Sequence, residues 1–309
     1  MSKTQKKFPL GIICLSALGL YFLSKKSIET FKIVNQYLFA KELNLYQRYK
    51  GGSALITGST SGLGKEYAMQ FAKRGFNIVQ VARNDEKLEN TKNEILEANS
   101  KIKVHNIQFD FDQPYTEEAY SGLKSELENL DDVSVLVNNV GAMSPGKFDS
   151  MDLIQANTMI QVNCIPQLFF TRTLLPKMIQ RANSDKRCAI LNLSSVATDT
   201  KAPSMGVYSA TKVYNKNLSD VLDKEVNDKN IDVLCVQPGP TVSNMIKVLG
   251  PCIIYPKDHV SSVLSHLGQY RSTYGHYKHM VYISLIRYQW FKSYYQRNKK
   301  ALTKLQGKP

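Results

Sequence analysis

The chain has 309 residues, 43% hydrophobic and 21% charged, without repeats or low-complexity tracts. That excludes a disordered or fibrous polymer and leaves room for one large α/β domain or two small ones. The net charge is +14, and the seven Lys or Arg within 281–309 meet no acid there, so this tail can face an anionic surface or stay solvated.

Cysteines at 14, 164, 188, 235 and 252 form no Cys-x-x-Cys and have no close His. This is the usage of buried free thiols in a reducing compartment rather than of a disulfide framework or a zinc site. His276 and His279 stand three apart without evident co-ligands, and no metal is expected.

In chain order, "FPLGIICLSALGLYFL" (8–23) is sixteen uncharged residues between Lys6–Lys7 and Lys25–Lys26. At about 1.5 Å per residue it spans roughly 24 Å, slightly short of a bilayer core. No clear small-x-small cleavage site follows it, so an uncleaved membrane anchor over 1–26 is expected. The cations after it set the rest of the chain in the cytosol. Residues 27–50 mix Phe31, Ile33, Val34, Leu38 and Leu45 with charges and read as an amphipathic linker.

From Gly51 strands and helices alternate. The strands read "SALIT" (53–57), "NIVQVA" (77–82), "KVHNIQF" (103–109), "VSVLVN" (133–138), "CAILNLS" (188–194) and "IDVLCVQ" (231–237). Helical patterns lie between them, one long stretch holding Pro166 and Pro176. This rhythm predicts a doubly wound, Rossmann-type α/β domain over 51–279 with a parallel sheet, and ligands beyond the carboxyl ends of its strands. Residues 280–309 form a basic tail, and its apolar "MVYISLIRYQWF" (280–291) is either a membrane-interface segment or a core element.

"TGSTSGLG" joins the first strand to a helix. Gly58, Gly62 and Gly64 let the backbone turn tightly and approach a pyrophosphate at the helix N-terminus, with Ser59, Ser61 and Leu63 in the same loop. The loop lacks the Lys-Ser/Thr of a triphosphate-binding loop. Further on, Tyr208 and Lys212 stand four apart in "MGVYSATK". The same spacing recurs at Tyr21, Tyr37, Tyr46, Tyr120, Tyr274, Tyr288 and Tyr295, but only Tyr208 follows a strand-end Ser, Ser195, by thirteen residues.

These motifs, in this order, make residues 50–245 resemble the short-chain dehydrogenase/reductase family. The resemblance implies that Asp110, after the third strand, contacts the adenine. It also implies that "NNVG", with Asn138 and Gly141, borders the cofactor, and that Pro238 and Gly239 form the turn beside the nicotinamide. It implies a catalytic set of Asn163, Ser195, Tyr208 and Lys212. Tyr208 is the proton donor, Lys212 lowers its pKa and binds the nicotinamide ribose, Ser195 stabilises charge on the substrate oxygen, and Asn163 holds a water linking Lys212 to solvent. In "VARNDEKL", Ala82 is small and Arg83 offers a fork suited to a 2′-phosphate, so NADPH rather than NADH is expected.

A closer resemblance, through "FDFDQPY", "LVNNVG", "ILNLSS" and the Pro-led helix near 256, is to membrane-bound very-long-chain 3-oxoacyl-CoA reductases and 17β-hydroxysteroid dehydrogenases. It implies a lipid-like carbonyl substrate, either a long-chain 3-oxoacyl-CoA or a steroid or retinoid. It further implies residence in the endoplasmic reticulum membrane, a homodimer and partners in fatty-acid elongation. A nucleotide-binding membrane scaffold without turnover is the alternative of another class, and no nucleic acid is expected.

Overall fold

The computed structural model describes residues 10–200, 202–243, 252–289 and 293. Residues 8 and 9 of the apolar segment, and 290–292 and 294–309 of the basic tail, lie outside them. The chain forms two units, Met1–Lys41 and Glu42–Pro309.

The first unit holds one helix, α1 (Leu10–Phe39). Its Leu15, Leu20, Phe22 and Leu23 are exposed, and it runs unbroken past Lys25 and Lys26 to Glu29 and Lys32. Those charges cut the apolar stretch short. Among the described residues no helix is long and apolar enough to cross a membrane.

The second unit opens with a short helix, α2 (Leu45–Tyr49), whose Leu45 and Tyr49 are fully buried. Then come β1 (Ser53–Thr57), α3 (Gly62–Lys73), β2 (Asn77–Ala82), α4 (Asp85–Ala98), β3 (Val104–Gln108), α5 (Glu117–Asn129) and β4 (Val133–Asn138). They are followed by α6 (Leu153–Asn183), β5 (Cys188–Leu193), α7 (Ala197–Thr200), α8 (Gly206–Val226) and β6 (Ile231–Val236). The last are α9 (Pro256–His266), β7 (Ser272–Thr273) and a helix over 277–289, α10. The sheet is parallel throughout, in the order β3-β2-β1-β4-β5-β6-β7.

β4 and β5 are buried at every position, as continuous apolar runs covered on both faces must be. Successive side chains alternate between two cores. Ala54 and Ile56 of β1 pack with Phe71 of α3 and Val263 of α9, while Leu55 packs with Leu123 of α5, Phe170 of α6 and Leu222 of α8. Cys164, Cys188 and Cys235 are buried free thiols.

The amino ends of the strands are closed by charge. Asp232 at the start of β6 accepts from Arg48 Nε at 2.8 Å, Tyr49 Oη at 2.9 Å and Arg187 Nη2 at 3.1 Å. Arg181 bonds Asp132 at 2.6 Å and the carbonyls of Tyr49 and Gly51 at 2.9 and 3.2 Å. α2 is thereby fixed at the amino ends of the strands, and the carboxyl ends are left to form a cavity.

Candidate active site

β1 delivers the chain into a loop that only glycine can complete. Gly58 has φ +66° and Gly62 +54°, and a Cβ on Gly64 would lie 2.1 Å from the Gly58 carbonyl oxygen. Ser61 stands at the N-cap of α3 without making a side-chain cap, and no acid lies in the first turn. The leading amides of this helix therefore keep their positive end for an anion. Ser59 Oγ, buried in the loop, has no hydrogen-bond partner among the described residues. An uncapped helix, a glycine cradle and an orphaned hydroxyl fit the pyrophosphate of a dinucleotide.

The loop forms one end of a cavity of about 800 Å³. Gly58, Ser61, Gly62, Leu63, Arg83, Asp110, Gly141, Ser195, Tyr208, Lys212, Pro238 and Gly239 all line it. Arg83 is exposed just beyond β2, and its backbone oxygen accepts from Gln108 Nε2 at 3.2 Å. Asp110 turns its carboxylate back to accept from the Asp112 amide at 3.1 Å.

Four residues expected at the site do not reach the cavity wall. Ser59 and Gly64 form the body of the loop behind it. Asn138 points into the core, donating to Asn192 Oδ1 at 2.8 Å and Thr171 Oγ1 at 3.1 Å, because the last residue of β4 still belongs to the sheet. Its neighbour Asn139 lines the cavity instead, donating to the Thr57 and Gly58 carbonyls at 2.9 and 3.2 Å and so bracing the glycine loop. The doubled Asn of "NNVG" held both roles, and only strand register separates them.

Asn163 is the fourth. Its Oδ1 accepts from the Ala142 amide at 2.7 Å, and its Nδ2 donates to the Ala142 carbonyl at 3.0 Å and Thr211 Oγ1 at 2.9 Å. Both its donor hydrogens are thus spent on joining the loop after β4 to α8. Even so, a Cβ on Gly141 would sit 3.1 Å from Asn163 Oδ1 and 3.2 Å from Lys212 Nζ, so the two side chains flank one glycine.

α8 brings Tyr208 and Lys212 onto one face, one turn apart. Lys212 Nζ donates to the Leu193 carbonyl at 3.1 Å, and burial lowers its pKa to about 8. Tyr208 is half-buried. Desolvation raises its pKa, and a hydrogen bond with Ser195 pulls part of the way back. The expected lowering by Lys212 is not seen in this geometry, where the ammonium stands 5.9 Å from the ring centroid and is bound to a backbone oxygen.

The Ser195 hydroxyl also accepts from the Ala197 amide at 3.1 Å. Beyond this group the cavity turns apolar, with Met143, Val162, Met205, Tyr282 and Ile286 in its wall. The last two come from α10, so the described part of 280–291 helps form the site. Its outward Val281, Leu285 and Tyr288 remain exposed. Nothing in the sequence pattern alone marked Tyr282 or Ile286, since their place depends on how α10 returns over the sheet. Among the described residues no cluster of three or more His, Cys, Asp or Glu could hold a metal.

Residues 53–251 match the short chain dehydrogenase family. A very-long-chain 3-oxoacyl-CoA reductase of Schizosaccharomyces pombe is 34% identical over 269 residues, covering 84% of this chain and 78% of that one. A Caenorhabditis elegans protein provisionally named a steroid dehydrogenase is 30% identical over 269 residues, covering 84% and 82%. Among solved structures, a short-chain dehydrogenase from Sphingobium yanoikuyae in complex with NADPH superposes with a TM-score of 0.63 at 26% identity, over 70% of this chain and 84% of its own. A 7beta-hydroxysteroid dehydrogenase gives 0.64 at 26% identity, over 75% and 89%.

Proposed function

The chain belongs to the short-chain dehydrogenase family and is an oxidoreductase; from that membership we propose that it uses NADPH to reduce a long-chain 3-oxoacyl-CoA to the 3-hydroxyacyl-CoA in very-long-chain fatty-acid elongation. One observation carries this reading. Ser195, Tyr208 and Lys212 share a cavity with a glycine-rich anion site at one end and an apolar wall beyond them.

In this reading the loop 58–64 and the N-terminus of α3 bind the pyrophosphate, Asp110 meets the adenine, and Arg83 takes the 2′-phosphate. NADPH, when bound, supplies the hydride. Ser195 hydrogen-bonds the substrate carbonyl oxygen and stabilises the charge growing there. Tyr208 gives that oxygen its proton, and Lys212 holds positive charge nearby while reaching the ribose. Asn163 fixes the distance between the loop after β4 and α8. Met143, Met205, Tyr282 and Ile286 take the apolar part of the substrate and keep water from it.

A steroid ketone is the second reading, supported by the likeness to the 7beta-hydroxysteroid dehydrogenase. The deciding experiment offers the purified protein NADPH with a 3-oxoacyl-CoA chain-length series and a steroid ketone panel side by side. Turnover confined to the steroids would replace the first reading with the second. Turnover of neither, with NADPH bound, would support the scaffold alternative.

We further propose that the protein works at the endoplasmic reticulum membrane with its catalytic domain in the cytosol. The exposed Leu15, Leu18, Leu20, Phe22 and Leu23 of α1 and the lysines that follow them support insertion into one leaflet without crossing. Removing residues 1–41 should release protein from membranes in fractionation. Retention of that truncation at high salt would deny α1 the role, and glycosylation of a tag on the catalytic domain would reverse the orientation.

A further inference from the structure

The turn after β6 has an unusual hydrogen-bonding constraint. In Pro238-Gly239-Pro240 both prolines lack an N–H, so Gly239 carries the only amide donor of the turn. That N–H points at His279, forty residues on in the chain, and donates to its Nδ1 at 3.0 Å. The other ring nitrogen, Nε2, donates to the Pro240 carbonyl at 3.0 Å. Nδ1 also lies 3.3 Å from the Tyr274 carbonyl, but the shorter Gly239 contact comes from an N–H that can only donate, so Nδ1 accepts there and the ring is the neutral imidazole with its proton on Nε2. Burial, which lowers the His279 pKa, favours that neutral form.

The ring is fully buried and fills the space that any side chain on Gly239 would need. A Cβ there would lie 2.6 Å from its Cδ2. On the other side of the turn, the Pro238 carbonyl accepts from the Val196 amide at 3.0 Å, next to Ser195. The turn is therefore held between the residue that follows Ser195 and a histidine at the start of α10, whose Tyr282 and Ile286 line the same cavity.

We propose that His279 is a positioning residue for the reaction: by accepting the Gly239 N–H it sets the cavity wall that the turn shares with Tyr208 and Lys212, and so the alignment of the nicotinamide with the reacting carbonyl. The proposal rests on the reductase reading for the identity of that nicotinamide. It differs from a packing role in one respect, because the Nδ1 acceptor matters more than the volume of the ring or the Nε2 donor.

Two near-isosteric variants separate these roles. His279→Asn keeps an acceptor where Nδ1 stood and loses the donor, whereas His279→Gln keeps a donor where Nε2 stood and loses the acceptor. The full chain carrying each is compared with the parent in ketone turnover, in the emission of bound NADPH as a probe of the nicotinamide's surroundings, and in thermal unfolding. Gln should lower kcat about tenfold with KM for the ketone moved less than about threefold, and should shift the emission of bound NADPH. Asn should stay within about threefold of the parent in kcat and leave the emission unchanged.

Equal losses in the two variants, or losses that follow unfolding temperature alone, would overturn the proposal. The emission arm needs no turnover, so a parent that binds NADPH yet reduces no ketone would sink the reductase reading while still deciding the role of His279. A parent that binds no NADPH would overturn both.

Discussion

Arg48 and Asp232, 184 residues apart, are joined by two hydrogen bonds of 2.8 and 3.0 Å, both from the guanidinium to the carboxylate. Burial alone would raise the Asp232 carboxyl. The bonds and charge of Arg48, with Tyr49 and Arg187, outweigh it and hold the pKa below the ordinary value. The folded unit thus begins before the first strand. A chain lacking residues 1–50 leaves Asp232 and Arg181 short of partners and should lose about 3–5 kcal/mol or fail to fold. A depressed carboxylate contributes stability that is present above its unfolded pKa, about 3.9, and lost as pH falls through the folded value. The gap in thermal stability between parent and Arg48→Met should therefore close in acid. A gap unchanged from pH 7 to pH 2 would count against the ion pair.

Tyr208→Phe keeps the ring and removes the proton. Turnover should fall by about 10² or more while NADPH affinity, read by fluorescence titration, changes little. Activity equal to the parent would move the acid elsewhere.

Arg83 lies at the cavity edge just beyond β2. Arg83→Ala should weaken NADPH by about 1.5–3 kcal/mol, the scale of a charge-assisted hydrogen bond, and leave NADH nearly untouched. Equal losses of the two cofactors in calorimetric titrations would remove Arg83 from phosphate recognition.

Burial of Lys212 works against its charged form. Its pKa falls from 10.5 to about 8 on burial, a penalty on the charged form of roughly 3 kcal/mol. Loss of its bond to the Leu193 carbonyl would offset about 1 kcal/mol of that. Lys212→Met should therefore be inactive yet more stable at pH 7, by about 1–2 kcal/mol or a few degrees in Tm. The penalty is full below the folded pKa and shrinks as pH rises from about 8 towards 10.5, so the advantage should narrow in that window. A variant less stable than the parent at pH 7 would show the ammonium to be better solvated than its burial implies.

Most of the sheet was legible because parallel strands announce themselves as short apolar runs. "NIVQVA", "VSVLVN" and "SALIT" coincide with β2, β4 and β1 to the residue. β7 was not, since Ser272–Thr273 has two residues and its pairing with β6 is decided by the chain around it. The glycine loop and the Ser195, Tyr208, Lys212 group could be read because each depends on local spacing behind a strand. Residues whose roles depend on tertiary return could not, including Asn139 against Asn138, the α10 wall and the clamp of His279 on Gly239. The length of α1 was not legible either, because the lysines that end the apolar run 8–23 do not end the helix, which continues to Phe39.

The Arg48–Asp232 contact also has a consequence for biosynthesis. A growing chain exposes Arg48 early, and its partner is added only 184 residues later. At about 5–20 residues per second that is a wait of roughly 10–40 seconds. Through this interval β1, β2 and β3 can assemble, since all three lie before residue 109. The nascent chain nevertheless carries an unmatched guanidinium and a half-sheet with an open edge at β1, which β4 covers next. Closure at the amino ends of the strands comes last, when β6 arrives beside β5 and brings Asp232 to an arginine made long before it.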